Sequence, residues 1–258
     1  MTINKGTIAA QKLYEEFGLD SPKDFTIEDL IHARDIILEE KIISNADGRI
    51  VFGKLKTKIS INSEIKYTGR RRFTLAHELG HFELHHNNNT HLDDNALTLD
   101  YFKQGNQEYE ANQFATELLM PEKMFAVYTK GKIFSPDLLR NIADYFQTSI
   151  TSSAFRYLDL GQHPIFLFHC KDGKVMYWKN SNNYYRKVKD ITKLSVPDDS
   201  VAMEFFSDGT IYGKKDSIQE ISKSTWFETK QYDFNNKCFE YAIVTKDYNT
   251  VLSVVWEQ

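Results

Sequence analysis

The 258-residue sequence predicts an α+β protein, in which a mainly helical part with a small sheet precedes a part rich in β-strands. Two observations support this prediction. Apolar residues recur at helical spacing through much of residues 8–160, with one group of strand-like segments between residues 36 and 62. After residue 163 the pattern changes to short aromatic and β-branched runs separated by turn residues, which is typical of an antiparallel sheet.

The chain begins with two predicted helices followed by strands. Apolar positions recur at helical spacing in residues 8–17, and a threonine cap followed by acidic residues opens a helix at residues 26–29. Strand-like runs then flank a turn at residues 45–48, which predicts a small sheet. Its predicted strands are residues 36–43, 49–52 and 58–62.

The most specific feature of the chain is the pentapeptide His-Glu-Leu-Gly-His at residues 77–81. We expect it on a helix, because residues 71–84 show apolar helical periodicity and contain no proline. Side chains at i and i+4 share one helix face, so both imidazoles can reach one ion. Zinc lowers the pKa of bound water to about 7, and Glu78 could accept that water's proton. The pattern is therefore the H-E-x-x-H motif of zinc hydrolases.

A zinc site of this kind needs a third protein ligand and one position open to water. One known arrangement places a glycine and a third histidine three and six residues after the second histidine, but Leu84 and Asn87 stand there. The other arrangement uses a glutamate on a following helix. Residues 107–120 form such a predicted helix, which ends at Pro121.

Glu108 and Glu110 both lie on this helix and compete for the role of third ligand. At about 100° per residue, the apolar stripe of the helix is centred near Ala111. Glu108 lies about 50° from that centre, whereas Glu110 lies roughly 110° away on the polar side. Glu108 is therefore the predicted ligand of Zn²⁺, together with His77 and His81. Glu110 is predicted to be an exposed carboxylate, and it is the alternative third ligand.

Residues 71–81 and 108–121 together resemble the ImmA/IrrE family of bacterial metallopeptidases. The resemblance rests on two separated motifs in the right order and covers residues 1–160 in the order of elements. It implies a zincin-like peptidase domain, gluzincin-like in its ligand set, that works as a zinc-dependent endopeptidase. The implied targets are helix-turn-helix repressors of phages, mobile elements or stress regulons.

The same resemblance assigns roles to four residues of this chain. It implies that His77, His81 and Glu108 hold the metal and that Glu78 is the catalytic base. Tyr101, Tyr109 and nearby histidines are equivalent candidates for stabilising the oxyanion.

Residues 87–104 are predicted to form a loop over the cleft, because a run of asparagines interrupts the helical pattern. His85, His86 and His91 lie at or beside this loop. We expect all three to be solvated, since the motif already supplies enough donors for a tetrahedral site with one open position.

Helices predicted at residues 138–146 and 150–160, with a turn at residues 147–149, have the outline of a helix-turn-helix. This outline makes a DNA-binding regulator one alternative function. The second helix contains Arg156 as its only basic residue, balanced by Asp159, and the whole chain carries a net charge of -4. Direct nucleic-acid binding is therefore disfavoured, and we expect a packing subdomain that could also dock a repressor.

A linker at residues 161–164 precedes the predicted β-rich part. Its predicted strands are residues 165–170, 174–178, 184–188, 201–206, 225–228, 238–245 and 250–257. The predicted domains are a peptidase domain at 1–130, a helix-turn-helix-like subdomain at 131–162 and a β-rich domain at 163–258. The position of the last domain suggests a sensor, docking or assembly role.

The composition agrees with a cytoplasmic globular enzyme. We find no signal peptide and no apolar run of the ~18 residues that a membrane span needs. Cys170 and Cys238 are expected to be buried thiols, because two cysteines make no disulfide framework. A second alternative function is a non-proteolytic protein that binds a repressor and keeps a structural zinc. The sequence does not indicate an oligomeric state.

Overall fold

The computed structural model describes residues 4–86, 92–95, 105–182, 186–229 and 237–257, and for residues 92–95 it describes the backbone alone. The fold is α+β, as predicted. It divides into two compact units. The first comprises Met1–Phe125 and Ala143–Ser149, and the second comprises Ala126–Ile142 and Ile150–Gln258. None of the helices within the described ranges combines the length and apolar character that a bilayer-spanning segment needs.

The first unit is built from helices and a mixed sheet. Its elements are α1 (Lys5–Phe17), α2 (Ile27–Ala33), β1 (Ile37–Lys41), β2 (Ala46–Phe52), β3 (Thr57–Asn62), α3 (Thr68–His85), β4 (Leu92–Asn95) and α4 (Asn106–Leu119). Two further helices, α5 (Glu122–Thr129) and α6 (Pro136–Phe146), contribute residues to both units.

Local capping explains where the first helices begin and end. Asn4 caps α1 by accepting a hydrogen bond from the Thr7 amide, and Gly18 ends the helix in the left-handed conformation, with φ 61°. Thr26 and Asp29 form a capping box at the start of α2, which confirms the predicted cap.

The sheet of the first unit has the strand order β1-β3-β2-β4. β1 runs parallel to β3, and β2 runs antiparallel to both β3 and β4. β4 corrects the predicted loop, since residues 92–95 pair with β2. Three of these four residues are polar and the segment carries no local strand signal, so the strand depends on a partner distant in sequence. The rest of the predicted loop lies outside the described residues.

Helix α3 is the central element of the first unit, because it contacts β2 and β3 as well as α1, α2 and α4. Gly80 allows α4 to approach closely. A Cβ atom at Gly80 would lie 2.9 Å from Cδ1 of Phe114 and 3.2 Å from Cα of Ala111. Gly6 plays the same part between α1 and α4, where a Cβ atom would lie 2.2 Å from the carbonyl oxygen of Glu110.

The second unit contains an antiparallel sheet with the strand order β6-β5-β9-β8-β7. Its elements are α7 (Ile150–Leu160), β5 (Phe166–Lys171), β6 (Lys174–Asn180), α8 (Val201–Asp208), β7 (Gln219–Ile221), β8 (Cys238–Thr245) and β9 (Thr250–Glu257). The predicted β-rich character is thus confirmed, and so are the buried, free thiols of Cys170 and Cys238.

Two predicted strands of this unit are wrong, and a third lies partly outside the described residues. Residues 201–206 form α8, because Ser200 caps the Met203 amide and Gly209 ends the helix at φ 80°. Residues 225–228 contain the end of a 3₁₀ turn and one isolated bridge from Phe227 to Val188. That bridge is also the only strand-like pairing in the described part of predicted strand 184–188. Conversely, β7 was not predicted.

A buried carboxylate on β8 connects the sheet to α8. Glu240 is fully buried and accepts hydrogen bonds from the amides of Val201 and Ala202, at 3.0 and 3.1 Å. It also accepts from Nε1 of Trp226, at 3.1 Å, and from Oγ of Ser253. Burial raises the pKa of Glu240, although these donors act in the opposite direction. Glu240 thereby caps α8 from a neighbouring strand.

Gly80→Ala should destabilise the first unit, because the added methyl group meets Phe114 and Ala111. We expect a loss of about 1–3 kcal/mol in the free energy of unfolding. By contrast, replacing glycine with alanine inside a helix normally stabilises a protein by about 0.5–1 kcal/mol. Urea unfolding measures the change. Gly213→Ala is the control, since no atom lies within 4 Å of that Cβ position and φ is -65°. Equal stability of the two variants would contradict the close approach.

Glu240→Gln should destabilise the second unit, because a side-chain NH₂ group would face N–H donors that now point at a carboxylate oxygen. We expect a cost of roughly 1–3 kcal/mol, measured by thermal unfolding. Glu220→Gln is the control, because Glu220 is exposed and pairs with the exposed Lys237 at 2.8 Å. That change should cost less than about 1 kcal/mol. A similar loss in both variants would argue against a special role for the buried network.

Candidate metal centre

Three side chains meet between α3 and α4. His77 Nε2 lies 3.1 Å from Oε2 of Glu108, and His81 Nε2 lies 3.2 Å from Oε1 of the same carboxylate. The two histidine Nε2 atoms are 2.9 Å apart. One ligand atom from each residue lies within 4.8 Å of the others, so this group could hold a metal ion. The structure therefore brings together the three residues predicted as ligands.

Helix geometry explains this convergence. The two histidines stand one turn apart on the buried face of α3, where both rings are almost fully buried. Glu108 lies in the first turn of α4 and reaches across because Gly80, just before His81, lets the two helices approach. The site is thus formed by two helices, and the contact at Gly80 sets their separation.

The protonation states of the cluster suit a metal. Burial lowers the pKa of His81 to about 4, so its imidazole is neutral at neutral pH. Burial raises the pKa of Glu108, but the contacts of its carboxylate with His77 and His81 outweigh burial and hold that pKa below its usual range. Neutral imidazoles and a carboxylate are donors that Zn²⁺ accepts. Three lone-pair donors turned toward one point also repel unless a cation or proton lies among them, so these residues fit a metal ion.

Asn112 is a site residue that sequence reasoning missed. Its Oδ1 atom lies 3.0 Å from Nδ1 of His77, and both side chains are buried. Since Oδ1 is an acceptor, Nδ1 donates the proton, and Nε2 keeps its lone pair toward Glu108. Such a partner orients a ligating histidine. The available signal was the spacing, because Asn112 follows Glu108 by four residues and shares its helix face.

Glu78, the predicted base, is buried on α3 immediately after His77. Its side chain lies against β2, because a Cβ atom at Gly48 would be 2.7 Å from Oε1 of Glu78. The motif glutamate therefore has a fixed environment beside the cluster. Of the oxyanion candidates, Tyr109 is 45% exposed on α4, and Tyr101 lies outside the described residues.

Glu110 corrects a prediction, because its side chain is only 14% exposed. It lies 3.5 Å from Nζ of Lys5 and 3.8 Å from Nε2 of His85, outside the His77–His81–Glu108 cluster. The prediction relied on the apolar stripe of α4, which marks only one of its two packed faces. Helix α1 covers a second face, where Gly6 touches the Glu110 backbone.

His85 was also predicted to be solvated, and this is wrong. Its side chain is 4% exposed, and its Nε2 atom lies 3.2 Å from the carbonyl oxygen of Gln107. The reason is again helical spacing, since His85 follows His81 by four residues on the buried face of α3. His86 is exposed as predicted, and His91 lies outside the described residues.

The helix-turn-helix outline is present in part, because α6 and α7 occupy the predicted segments. Between them Gln147 has a positive φ of 54°. Arg156, the one basic residue of α7, is only 7% exposed. Its guanidinium group is therefore poorly placed to contact phosphate.

Comparison with known proteins identifies the domain that carries the cluster. Residues 40–157 match the family model Peptidase_M78, described as IrrE N-terminal-like domain. The chain is 29% identical over 131 residues to "Uncharacterized immunity region protein 2" of Bacillus phage phi105, and the match covers 50% of this chain and 77% of that protein.

The fold also resembles a solved structure, a "Mycobacterium tuberculosis transcriptional regulator". The TM-score is 0.60 at 14% identity, over 99% of this chain and 77% of that one. At such low sequence identity, the structural similarity is evidence for the fold alone. The family match includes both histidines, Glu78, Glu108 and Asn112. Residues 40–157 therefore resemble an IrrE N-terminal-like domain, which agrees with the predicted similarity to the ImmA/IrrE family.

Proposed function

We propose that this protein is a zinc-dependent endopeptidase. His77, His81 and Glu108 hold the ion, and Glu78 is the general base. The observation that carries the proposal is the convergence of two imidazole nitrogens and one carboxylate within 4.8 Å, beside the buried Glu78. A bound Zn²⁺ supplies a water of pKa about 7 and polarises the scissile carbonyl.

The chain's own residues then carry the proton transfers. Glu78 accepts a proton as water adds to the peptide carbonyl, and it delivers a proton to the amine nitrogen when the C–N bond breaks. Asn112 keeps the His77 ring oriented through their contact of 3.0 Å. Burial around Glu78 limits competing water. An extended substrate could pair with an outer strand of the sheet, either β1 or β4.

We propose a helix-turn-helix transcriptional repressor as the substrate, controlling a phage, mobile element or stress regulon. Support comes from the phage relative, which is named as a protein of an immunity region. The enzyme would act in the cytoplasm, where such repressors bind DNA. The buried Arg156 supports recognition of the repressor itself instead of its operator. Residues 163–258 would then serve regulation, substrate docking or assembly.

Glu78→Gln should keep near-stoichiometric zinc and lower peptide cleavage by about 10²–10⁴-fold, the usual contribution of a general base. Zinc is measured by elemental analysis, and cleavage by mass spectrometry of a peptide library prepared from bacterial cell proteins. Glu83→Gln is the matched control on α3, because Glu83 pairs with Arg34 away from the cluster. Loss of zinc from Glu78→Gln would contradict the assigned roles. Removal of a repressor in cells by the Glu78→Gln protein, without cleaved fragments, would favour the non-proteolytic binding protein.

Glu108→Ala should weaken zinc binding by at least about 100-fold, because even partners of metal ligands contribute 10–100-fold. Glu110→Ala is the matched control, since it changes the same residue type on the same helix at nearly equal exposure, 14% against 15%. It should retain zinc. Zinc competition with a chromophoric chelator measures both affinities, on chains shown to be folded by circular dichroism. Loss of zinc only in Glu110→Ala would move the third ligand.

A further inference from the structure

One face of α3 is turned toward β2 along three successive turns. Arg70, Thr74 and Glu78 stand at four-residue intervals and therefore share this face. Arg70 donates from Nε to the carboxylate of Asp47, and these two side chains are only 15% and 13% exposed. The next strand residue, Gly48, lies against both Thr74 and Glu78. Through Asp47 and Gly48, β2 therefore packs against the face of α3 that includes Glu78, the proposed base.

The two strand residues occupy a β-bulge. Ala46 pairs with Asn95 and Arg49 pairs with Asp93, so two residues of β2 stand opposite one residue of β4. On the other side, β2 keeps a regular register with β3, where Gly48 pairs with Ile61. A bulge redirects the backbone locally and is frequent beside active sites. Here it lies at the contact with α3.

Gly48 is required for space and not for backbone conformation. Gly48 does not have a positive φ, so alanine could adopt the same backbone conformation. A Cβ atom there would lie 2.6 Å from Cγ2 of Thr74, 2.7 Å from Oε1 of Glu78 and 3.1 Å from Cγ of Glu78. Real Cβ atoms essentially never come this close to such neighbours, so one of these side chains would have to move. Since glycine weakens a strand, its presence here indicates a close approach that the structure needs.

We infer that Gly48 is a positioning residue for the proposed base, because the β2 bulge fixes where the Glu78 carboxylate lies. The backbone at Gly48 forms one wall of the space that the carboxylate occupies, and the contact between Asp47 and Arg70 holds that wall against α3. A general base must lie within about 2.6–3.2 Å of the proton it accepts. A side chain at residue 48 would displace Oε1 from that place while leaving His77, His81 and Glu108 in position. This inference rests on the proposed function.

Gly48→Ala is the first test. The variant should keep near-stoichiometric zinc and show kcat lowered by about tenfold or more, because an error of about 1 Å in placing a catalytic group can cost 10²-fold. KM should change little. Gly53→Ala is the matched control near the end of the same strand, since its Cβ would lie 2.5 Å from the carbonyl oxygen of Lys56, away from Glu78. It should lower stability and leave kcat unchanged. An equal loss of kcat in both variants would overturn the inference.

A double-mutant cycle separates positioning from general damage. In a Glu78→Gln background, Gly48→Ala should cause no further loss of residual turnover, because both changes act on the same carboxylate. The same fold-loss in both backgrounds would overturn the inference. Adding Thr74→Ser removes Cγ2 and relieves the contact of 2.6 Å. The Gly48→Ala/Thr74→Ser protein should therefore regain stability without regaining kcat, and recovery of kcat would show that Thr74, not Glu78, transmits the effect.

A crystal structure of zinc-loaded Gly48→Ala tests the placement without any activity measurement. A Glu78 carboxylate displaced by several tenths of an ångström supports the inference, and an unmoved carboxylate overturns it. If the carboxylate moves but Glu78→Gln is as active as the unchanged protein, the positioning stands and the proposed base is wrong. If cleavage is absent from every variant and from the unchanged protein, the proposed function fails while the crystallographic result still decides the positioning.

Discussion

The close approach of α3 and α4 at Gly80 is the constraint on which the rest of the first unit depends. The ligand-bearing faces of the two helices can meet only because residue 80 has no side chain toward Phe114 and Ala111. On this contact depend the reach of Glu108 to both histidines and the contact of Asn112 with His77. Helix α1 supports α4 from a second side through the equally tight contact at Gly6. Packing against neighbouring helices therefore sets the geometry of the site.

Different elements hold the different parts of the centre. Two histidines come from one helix and a carboxylate from another, whereas the space for Glu78 is bounded by a strand. The pKa values of His81 and Glu108 are both shifted toward the protonation states that a metal site needs. Burial keeps His81 neutral at neutral pH, and the pKa of Glu108 lies below its usual range, so both side chains have the protonation state that Zn²⁺ accepts. The buried carboxylate of Glu240 on β8 differs from that of Glu108, because four donors of the protein already hydrogen-bond to it.

Much of the first unit could be predicted from sequence, because its main signals are local. The spacing of His77 and His81, and the helix that carries Glu108, follow from periodicity and helix-ending residues within short windows. Two of the wrong predictions depend on distant partners. Strand β4 exists through pairing with β2, and Glu110 is covered by α1, which lies about a hundred residues earlier. Residues 201–206 have apolar character that suits either element, and the caps at Ser200 and Gly209 decide for a helix. The Asn112 contact required knowledge of the facing helix.

The packing of α1 on α4 has a consequence for the order in which the chain matures during synthesis. Asn4 Nδ2 donates to Oε1 of Gln113 at 2.8 Å across a separation of 109 residues, so α1 cannot dock on α4 until α4 has also left the ribosome. Until then the apolar face of α1, including Ala10 and Leu13, lacks its final cover. Glu108 is also on α4, so α1 can dock and the His77–His81–Glu108 cluster can form only after α4 has been made. A nascent chain that still lacks α4 therefore has neither its full core nor the complete His77–His81–Glu108 cluster.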